Sequence, residues 1–316
     1  MNPLRTVSRG LDTALDRAVV PGFSRIGHAV RRRLPTWPND PSPYALAGRH
    51  VAVTGATSGL GQATARQVSE LGAHVHLIVR DAEKAEQVGA QLPGTSTIWA
   101  CDLADLDSVR ECAEAMLGAG VTLHGLVHNA GALPATRTES AQGHELTMAL
   151  HVLGPVLLTD LLRDALDADA RVVFVTSGGM YAQGLPVRNP DYERGEYSGT
   201  AAYARSKRTQ VELLPILGER WAPAQVYAMH PGWAATPGVK DALPGFEKVM
   251  GPVLRDADQG ADTTTWLLAT QPAPPAGGLW MDRRERPTAY FGRNAASEDE
   301  RQRMWDWVAA ATALAP

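Results

Sequence analysis

Tyr203 and Lys207 stand four residues apart, a spacing that puts both side chains on one face of a helix. A free phenol holds its proton up to a pH of about 10, and nearby positive charge lowers that value. A tyrosine so placed can exchange a proton with an oxygen that changes between carbonyl and alcohol. Taken alone, the pair is equally a surface cation beside an amphipathic ring. A second constellation is Thr54-Gly55-Ala56-Thr57-Ser58-Gly59-Leu60-Gly61. Glycines there allow a sharp turn and a close backbone approach to a pyrophosphate. A helix that starts at such a turn adds free N–H groups and the positive end of its dipole.

The elements around these residues follow from the apolar pattern. Strands are expected at His50–Thr54, His74–Val79, Thr97–Cys101, Leu123–His128, Arg171–Thr176, Gln225–Met229 and Leu279–Met281. Helices are expected at Ala63–Leu71, Ala82–Gln91, Leu106–Leu117, from about Glu139 to Leu166, at Ala201–Trp221 with a break near Pro215, and at Gln259–Thr270. Near-continuous apolar strands alternating with helices predict an α/β fold, a doubly wound parallel sheet of Rossmann type with ligands at the carboxyl ends of the strands. Val79-Arg80-Asp81 ends the second strand. An acidic residue there would accept from a ribose 2′-hydroxyl, whereas an arginine takes a 2′-phosphate, so Arg80 points to NADP(H). The competing reading is a solvated Arg80, with Asp81 capping the next helix.

Gly55-x3-Gly59-x-Gly61, Asn129-Ala130-Gly131, Tyr203-x3-Lys207 and Pro231-Gly232, in that order, resemble the short-chain dehydrogenase/reductase (SDR) superfamily over about residues 48–281. Thr176-Ser177-Gly178-Gly179-Met180 and His230-Pro231-Gly232-Trp233 suggest the subgroup of dehydrogenase/reductase SDR family member 12. The resemblance implies a catalytic Ser177, Tyr203 and Lys207, with Lys207 also holding the nicotinamide ribose. It places Asp102 and Leu103 against the adenine, Asn129, Ala130 and Gly131 at the centre of the cofactor, and Pro231, Gly232 and Thr236 around the nicotinamide. His128 replaces the first of two usual asparagines. His151 aligns with an asparagine of the family's proton relay, and either relays protons itself or is simply packed there. The apolar Val239, Leu243, Phe246, Val249, Met250, Val253 and Leu254 follow the sixth strand. They either line a pocket for a lipophilic carbonyl or alcohol or close the core. The family's habits also suggest a homo-oligomer.

Three stretches differ in character: a basic leader and Pro-rich linker (1–46), the catalytic region (47–281) and a C-terminal turn and helix (282–316). Ser297 and Glu300 have capping-box spacing. In the leader, Leu11, Leu15 and Val19 recur every four residues, as do Ile26, Val30 and Leu34, predicting two amphipathic helices broken at Pro21-Gly22. Arginines flank both stripes, so the leader either packs on its own domain or a partner, or makes peripheral contact with a membrane. No apolar run reaches the roughly 20 residues of a membrane span. A net charge of −4 gives no general attraction for nucleic acid. Cys101 and Cys112 are expected as reduced thiols in a cytoplasmic protein, and no Cys/His spacing suggests a metal. The rival reading is a non-catalytic nucleotide-binding or membrane-surface scaffold that retains the fold.

Overall fold

The computed structural model describes residues 3–235, 245, 248, 250–290 and 294–315. β-Branched and aliphatic runs form β1 (His50–Thr54), β2 (His74–Val79), β3 (Ser96–Ala100), β4 (Leu123–His128), β5 (Leu166–Val175), β6 (Gln225–Met229) and β7 (Leu279–Met281), with a short β8 (Arg284–Arg286) after them. They build one sheet in the order β3-β2-β1-β4-β5-β6-β7-β8, parallel except for the final β7–β8 hairpin. The order reverses between β1 and β4, which leaves a crevice at their carboxyl ends.

Both faces are covered, which is why these strands are apolar throughout. Before β1 come α1 (Pro3–Arg17), α2 (Val19–Phe23) and α3 (Arg25–Arg32). Then follow α4 (Gly59–Glu70), α5 (Ala82–Gly89), α6 (Leu106–Gly118), α7 (Leu146–Met148), one π turn (Ala149–Leu153), α8 (Gly154–Leu161), α9 (Gly199–Glu212), α10 (Leu214–Arg220), α11 (Ala257–Ala269) and α12 (Glu298–Thr312). One core layer joins Ala52, Ile78, Leu126 and Phe174 of the sheet to Val109, Leu157 and Trp305 of α6, α8 and α12. The other joins Val53, Leu77, Val127 and Val173 to Ala65 of α4 and Leu268 of α11.

Six of the seven expected strands agree closely in extent; β5 starts five residues earlier, at Leu166 rather than Arg171. The helix expected from about Glu139 begins at Leu146, because Thr138–Leu146 closes a tight turn in which Glu139 bridges Glu145. The buried Glu145 carboxylate then caps the helix, accepting from the Met148 amide at 2.9 Å. Pro215 sits in the first turn of α10, where it ends the preceding helix as expected. The Ser297 box closes in both directions: Glu300 N donates to Ser297 Oγ at 3.2 Å and Ser297 N to Glu300 Oε2 at 2.9 Å.

The leader departs from expectation. Its breaks fall at Ala18 and Ser24 rather than at Pro21-Gly22, because Pro21 occupies the first turn of α2, where a missing N–H costs little. It is held to the domain by charge. Arg31 donates to Asp12 at 2.7 Å and to Asp282 at 2.6 Å, Arg255 donates to Asp282 at 2.6 and 2.9 Å, and Arg286 donates to Asp12 at 3.0 Å. Burial alone would raise both carboxyls, but the surrounding guanidiniums outweigh it and hold Asp12 and Asp282 below the usual carboxylate range. Depressed carboxyls contribute stability that is present above about pH 4 and lost as pH falls through their lowered values. Asp282→Asn leaves Arg31 and Arg255 buried without their shared counter-ion. It should cost about 3–5 kcal/mol at neutral pH, and denaturant unfolding at pH 7 checks this; an unchanged midpoint would mean that the network does not hold the leader.

Candidate active site

The first strand ends in a turn whose glycines are needed for space. Gly55 has φ +64°, and a Cβ there would lie 2.8 Å from Ala130 Cα. At Gly61 a Cβ would collide with the Gly55 carbonyl and the Asn129 amide. α4 can therefore start after a short turn of residues 55–58. Ser58, its N-cap, is exposed and makes no side-chain bond to the helix, which leaves its hydroxyl and the first amides facing the crevice end of the sheet. Thr57, Gly59 and Leu60 complete the turn and are all half-buried.

The neighbouring strand ends line up with that turn. Gly55 N donates to Ile78 O at 3.0 Å, so Arg80 lies just beyond the glycine turn. Arg80 is exposed and has no hydrogen-bond or ion-pair partner among the described residues. Asp81 is occupied as the cap of α5, accepting from Lys84 N at 3.1 Å. Cys101 N donates to Val79 O at 2.9 Å, which brings Asp102 and Leu103 to the same edge. Asp102 Oδ1 accepts from Ala104 N at 2.9 Å, while Leu103 is buried in the core.

Asn129 fastens the central strands. Its Nδ2 donates to Thr54 O at 3.0 Å, and Thr54 Oγ1 accepts from Asn129 N and Ala130 N at 2.9 and 3.0 Å. Ala130 and Gly131 follow on the crevice side. His128 serves packing: its ring bonds Thr159 Oγ1 at 2.7 Å, and burial pushes its pKa down to about 3.

The end of β5 carries two adjacent hydroxyls, Thr176 and Ser177. Thr176 is buried and its Oγ1 donates to Lys207 O at 2.9 Å, which leaves Ser177 as the hydroxyl facing the site. Lys207 Nζ donates to Val175 O at 2.8 Å. These two bonds stitch α9 to β5 and bring Tyr203, one turn before the lysine, beside Ser177. Burial raises the Tyr203 phenol above its ordinary value, and its hydrogen bond with Ser177 pulls the other way. Burial lowers Lys207 to about 7, and its ammonium lies 5.6 Å from the centre of the Tyr203 ring.

His151 stands in the π turn with its ring edge-on to Tyr203, centroids 5.3 Å apart. Ser206 Oγ donates to Tyr203 O at 2.8 Å, so at 2.7 Å the His151 Nδ1–H is the donor to Ser206. The other nitrogen, Nε2, accepts from Ala132 N at 3.1 Å. Both ring nitrogens are engaged, and burial holds the ring neutral, its pKa well below the ordinary value. This neutral tautomer ties the segment after Gly131 to the helix that bears Tyr203.

Past β6, Pro231 and Gly232 are buried, and Gly232 has φ +75° beside the Arg255 guanidinium. Trp233 N donates to Phe23 O at 2.7 Å, and the Phe23 ring meets His230 edge-on at 4.6 Å. Phe23, Arg255 and Asp282 thus brace this loop, a role that sequence spacing could not reveal. Thr236 lies outside the described residues, as do Val239, Leu243, Phe246 and Val249; Met250 and Val253 are half-buried and Leu254 is buried.

Three histidines that appear scattered in the sequence meet at the amino ends of β1 and β2: His50, His74 and His76. Trp99 Nε1 donates to His76 Nδ1 at 2.9 Å, and an indole can only donate. The proton of neutral His76 is therefore on Nε2, which faces His50 Nδ1 at 2.8 Å and has no lone pair for a metal. Cys101 and Cys112 are buried free thiols.

Residues 49–245 match the family model described as short chain dehydrogenase. Dehydrogenase/reductase SDR family member 12 from Bos taurus is 38% identical over 273 residues, covering 82% of this chain and 84% of that protein. The Streptomyces sp. (strain C5) protein named "Putative daunorubicin C-13 ketoreductase DnrU" is 32% identical over 286 residues, 87% of this chain and 96% of its own length. A solved structure of an uncharacterized protein from Mycobacterium paratuberculosis aligns with a TM-score of 0.72 and 26% identity, over 87% of this chain and 98% of that one. The glycine turn, the Asn129 fastening and the Ser177–Tyr203–Lys207 cluster thus sit in a chain that belongs to the short-chain dehydrogenase family, oxidoreductases of carbonyls and alcohols that bind NAD(P).

Proposed function

We propose that the protein interconverts a carbonyl and an alcohol on a lipophilic small molecule, with NADP(H) as cofactor and Tyr203 as the proton carrier. The observation that carries this reading is the meeting of Ser177, Tyr203 and Lys207 at the end of β5, two strands from the glycine turn that ends β1. When bound, the dinucleotide supplies a hydride to the carbonyl carbon or takes one from the alcohol carbon. The residues present fit it: an N-cap serine and helix amides free at the start of α4 suit the pyrophosphate, and the unpaired Arg80 suits a 2′-phosphate.

In reduction, the carbonyl oxygen gains electron density as its carbon is attacked and must be protonated. Ser177 Oγ–H donates to that oxygen, and Tyr203 Oη–H delivers the proton that makes it an alcohol. A phenol raised by burial rests in its neutral, donating form, which favours the reductive direction. Lys207 places a cation near the phenolate that remains and so limits the cost of giving up the proton. The relative named as a ketoreductase supports a ketone as the carbonyl partner. Met250, Val253 and the buried Leu254, after the sixth strand, support an apolar substrate.

A panel of ketones and aldehydes assayed with NADPH should show turnover that Tyr203→Phe lowers by about 10²–10⁴-fold while cofactor binding stays within error. Activity retained in that variant would mean that another acid supplies the proton. Arg80→Ala should weaken NADPH binding by about ten-fold, the worth of one exposed charge-assisted bond, and leave NADH nearly unchanged. Equal losses for both cofactors in titration calorimetry would remove the 2′-phosphate assignment.

A further inference from the structure

We propose that the outward face of the N-terminal helices docks on an anionic lipid surface. The basis is that α1 is amphipathic in the wrong sense for water. Its row Ser8, Asp12 and Asp16 is buried against Arg31, Arg286 and Tyr290, whereas Val7 and Leu11, on a row about 100° around the helix, point to solvent. α2 and α3 continue the pattern with Val19, Val20 and Ile26. Seven large apolar side chains stand most exposed among the described residues, and five of them are these: Val7 at 71%, Leu11 at 45%, Val19 at 48%, Val20 at 54% and Ile26 at 50%. Scattered exposed aliphatics are ordinary, but a concentration on one short segment marks a contact surface.

The charge exposed around this apolar stripe selects the occupant. Arg9, Arg17, Arg25, Arg32 and Arg33 are exposed, while both acids within residues 6–34, Asp12 and Asp16, are buried and paired with Arg286 from inside. Within residues 6–34 every exposed charged side chain is therefore a cation, in a protein whose net charge is −4. A second copy would bring five arginines against five, so the face repels itself. An anionic bilayer meets both needs at once, acyl chains for the aliphatics and headgroup phosphates for the guanidiniums. No helix among the described residues is long and apolar enough to cross a membrane, so the contact is with the surface. The inner ion pairs to Asp282 and Arg255 hold the three helices to the domain, which keeps the outer face in a fixed orientation.

Sedimentation of the full chain with phosphatidylcholine vesicles, with and without phosphatidylserine, tests this without substrate or cofactor. The protein should pellet with the phosphatidylserine vesicles only, and rising salt should release it. Each of Arg17→Gln and Arg25→Gln should weaken partitioning by about five-fold. Val7→Asn combined with Leu11→Asn and Ile26→Asn should abolish pelleting with an unchanged melting temperature, since these side chains lie outside the ion network. Protein that stays in solution with both vesicles overturns the proposal. So does equal binding to neutral vesicles, or pelleting that survives the triple substitution. A concentration-dependent dimer in light scattering, lost in Leu11→Asn, would instead assign the face to a second copy and also overturn it.

Discussion

An ammonium group taken out of water against a strand-end carbonyl is the constraint on which the site depends. Lys207 donates to Val175 O at 2.8 Å, and the same residue's own carbonyl accepts from Thr176 at 2.9 Å. The two bonds lock helix α9 in register with β5, and that register is what sets the Tyr203 phenol beside Ser177. Desolvation lowers the lysine to about 7, so the cation beside the Tyr203 ring is held at the edge of losing its proton. An anionic cofactor would favour the protonated form, which couples cofactor binding to the charge state of the site.

The second requirement is that the loops at the strand ends keep still. Asn129 joins β4 to β1, and neutral His151 joins the segment after Gly131 to α9 through Ala132 and Ser206. On the far side the bracing comes from outside the central sheet. Phe23 of the leader accepts from Trp233 and packs on His230, and Arg255 reaches from Pro231 to Asp282. The leader is thus continuous with the loop after β6, and loosening Asp12 or Asp282 would be felt at Pro231-Gly232.

Much of this was legible in the sequence, because periodicity and turn chemistry are local. The extents of β1, β2, β4, β6 and β7, the break at Pro215 and the Ser297 box follow from residues within a few positions of one another. The reach of β5 back to Leu166 and the late start of α7 were not legible, since the first includes Asp167 and Asp169 and the second turns on a buried carboxylate, Glu145. The leader is the instructive case. Spacing puts Leu11 and Leu15 on one side of a helix but does not show which way it points, and that was decided by Arg31, Arg286 and Asp282, the last two more than 250 residues from the first helix. The same holds for the three histidines, distant in the chain until β1 pairs with β2. Ser177 rather than Thr176 is the expectation from sequence; the contact that occupies Thr176 is seen only in the folded chain.

The central claim is that this chain moves a hydride onto a carbonyl carbon while its own residues move the proton onto oxygen. The most direct measurement is reduction of a turned-over ketone with NADPH carrying deuterium at the nicotinamide C4, followed by mass spectrometry and NMR of the product. The account predicts one deuterium on the carbinol carbon from one labelled face, with the hydroxyl hydrogen drawn from solvent. A product whose new carbon-bound hydrogen comes from water, whichever face of the cofactor is labelled, would contradict it.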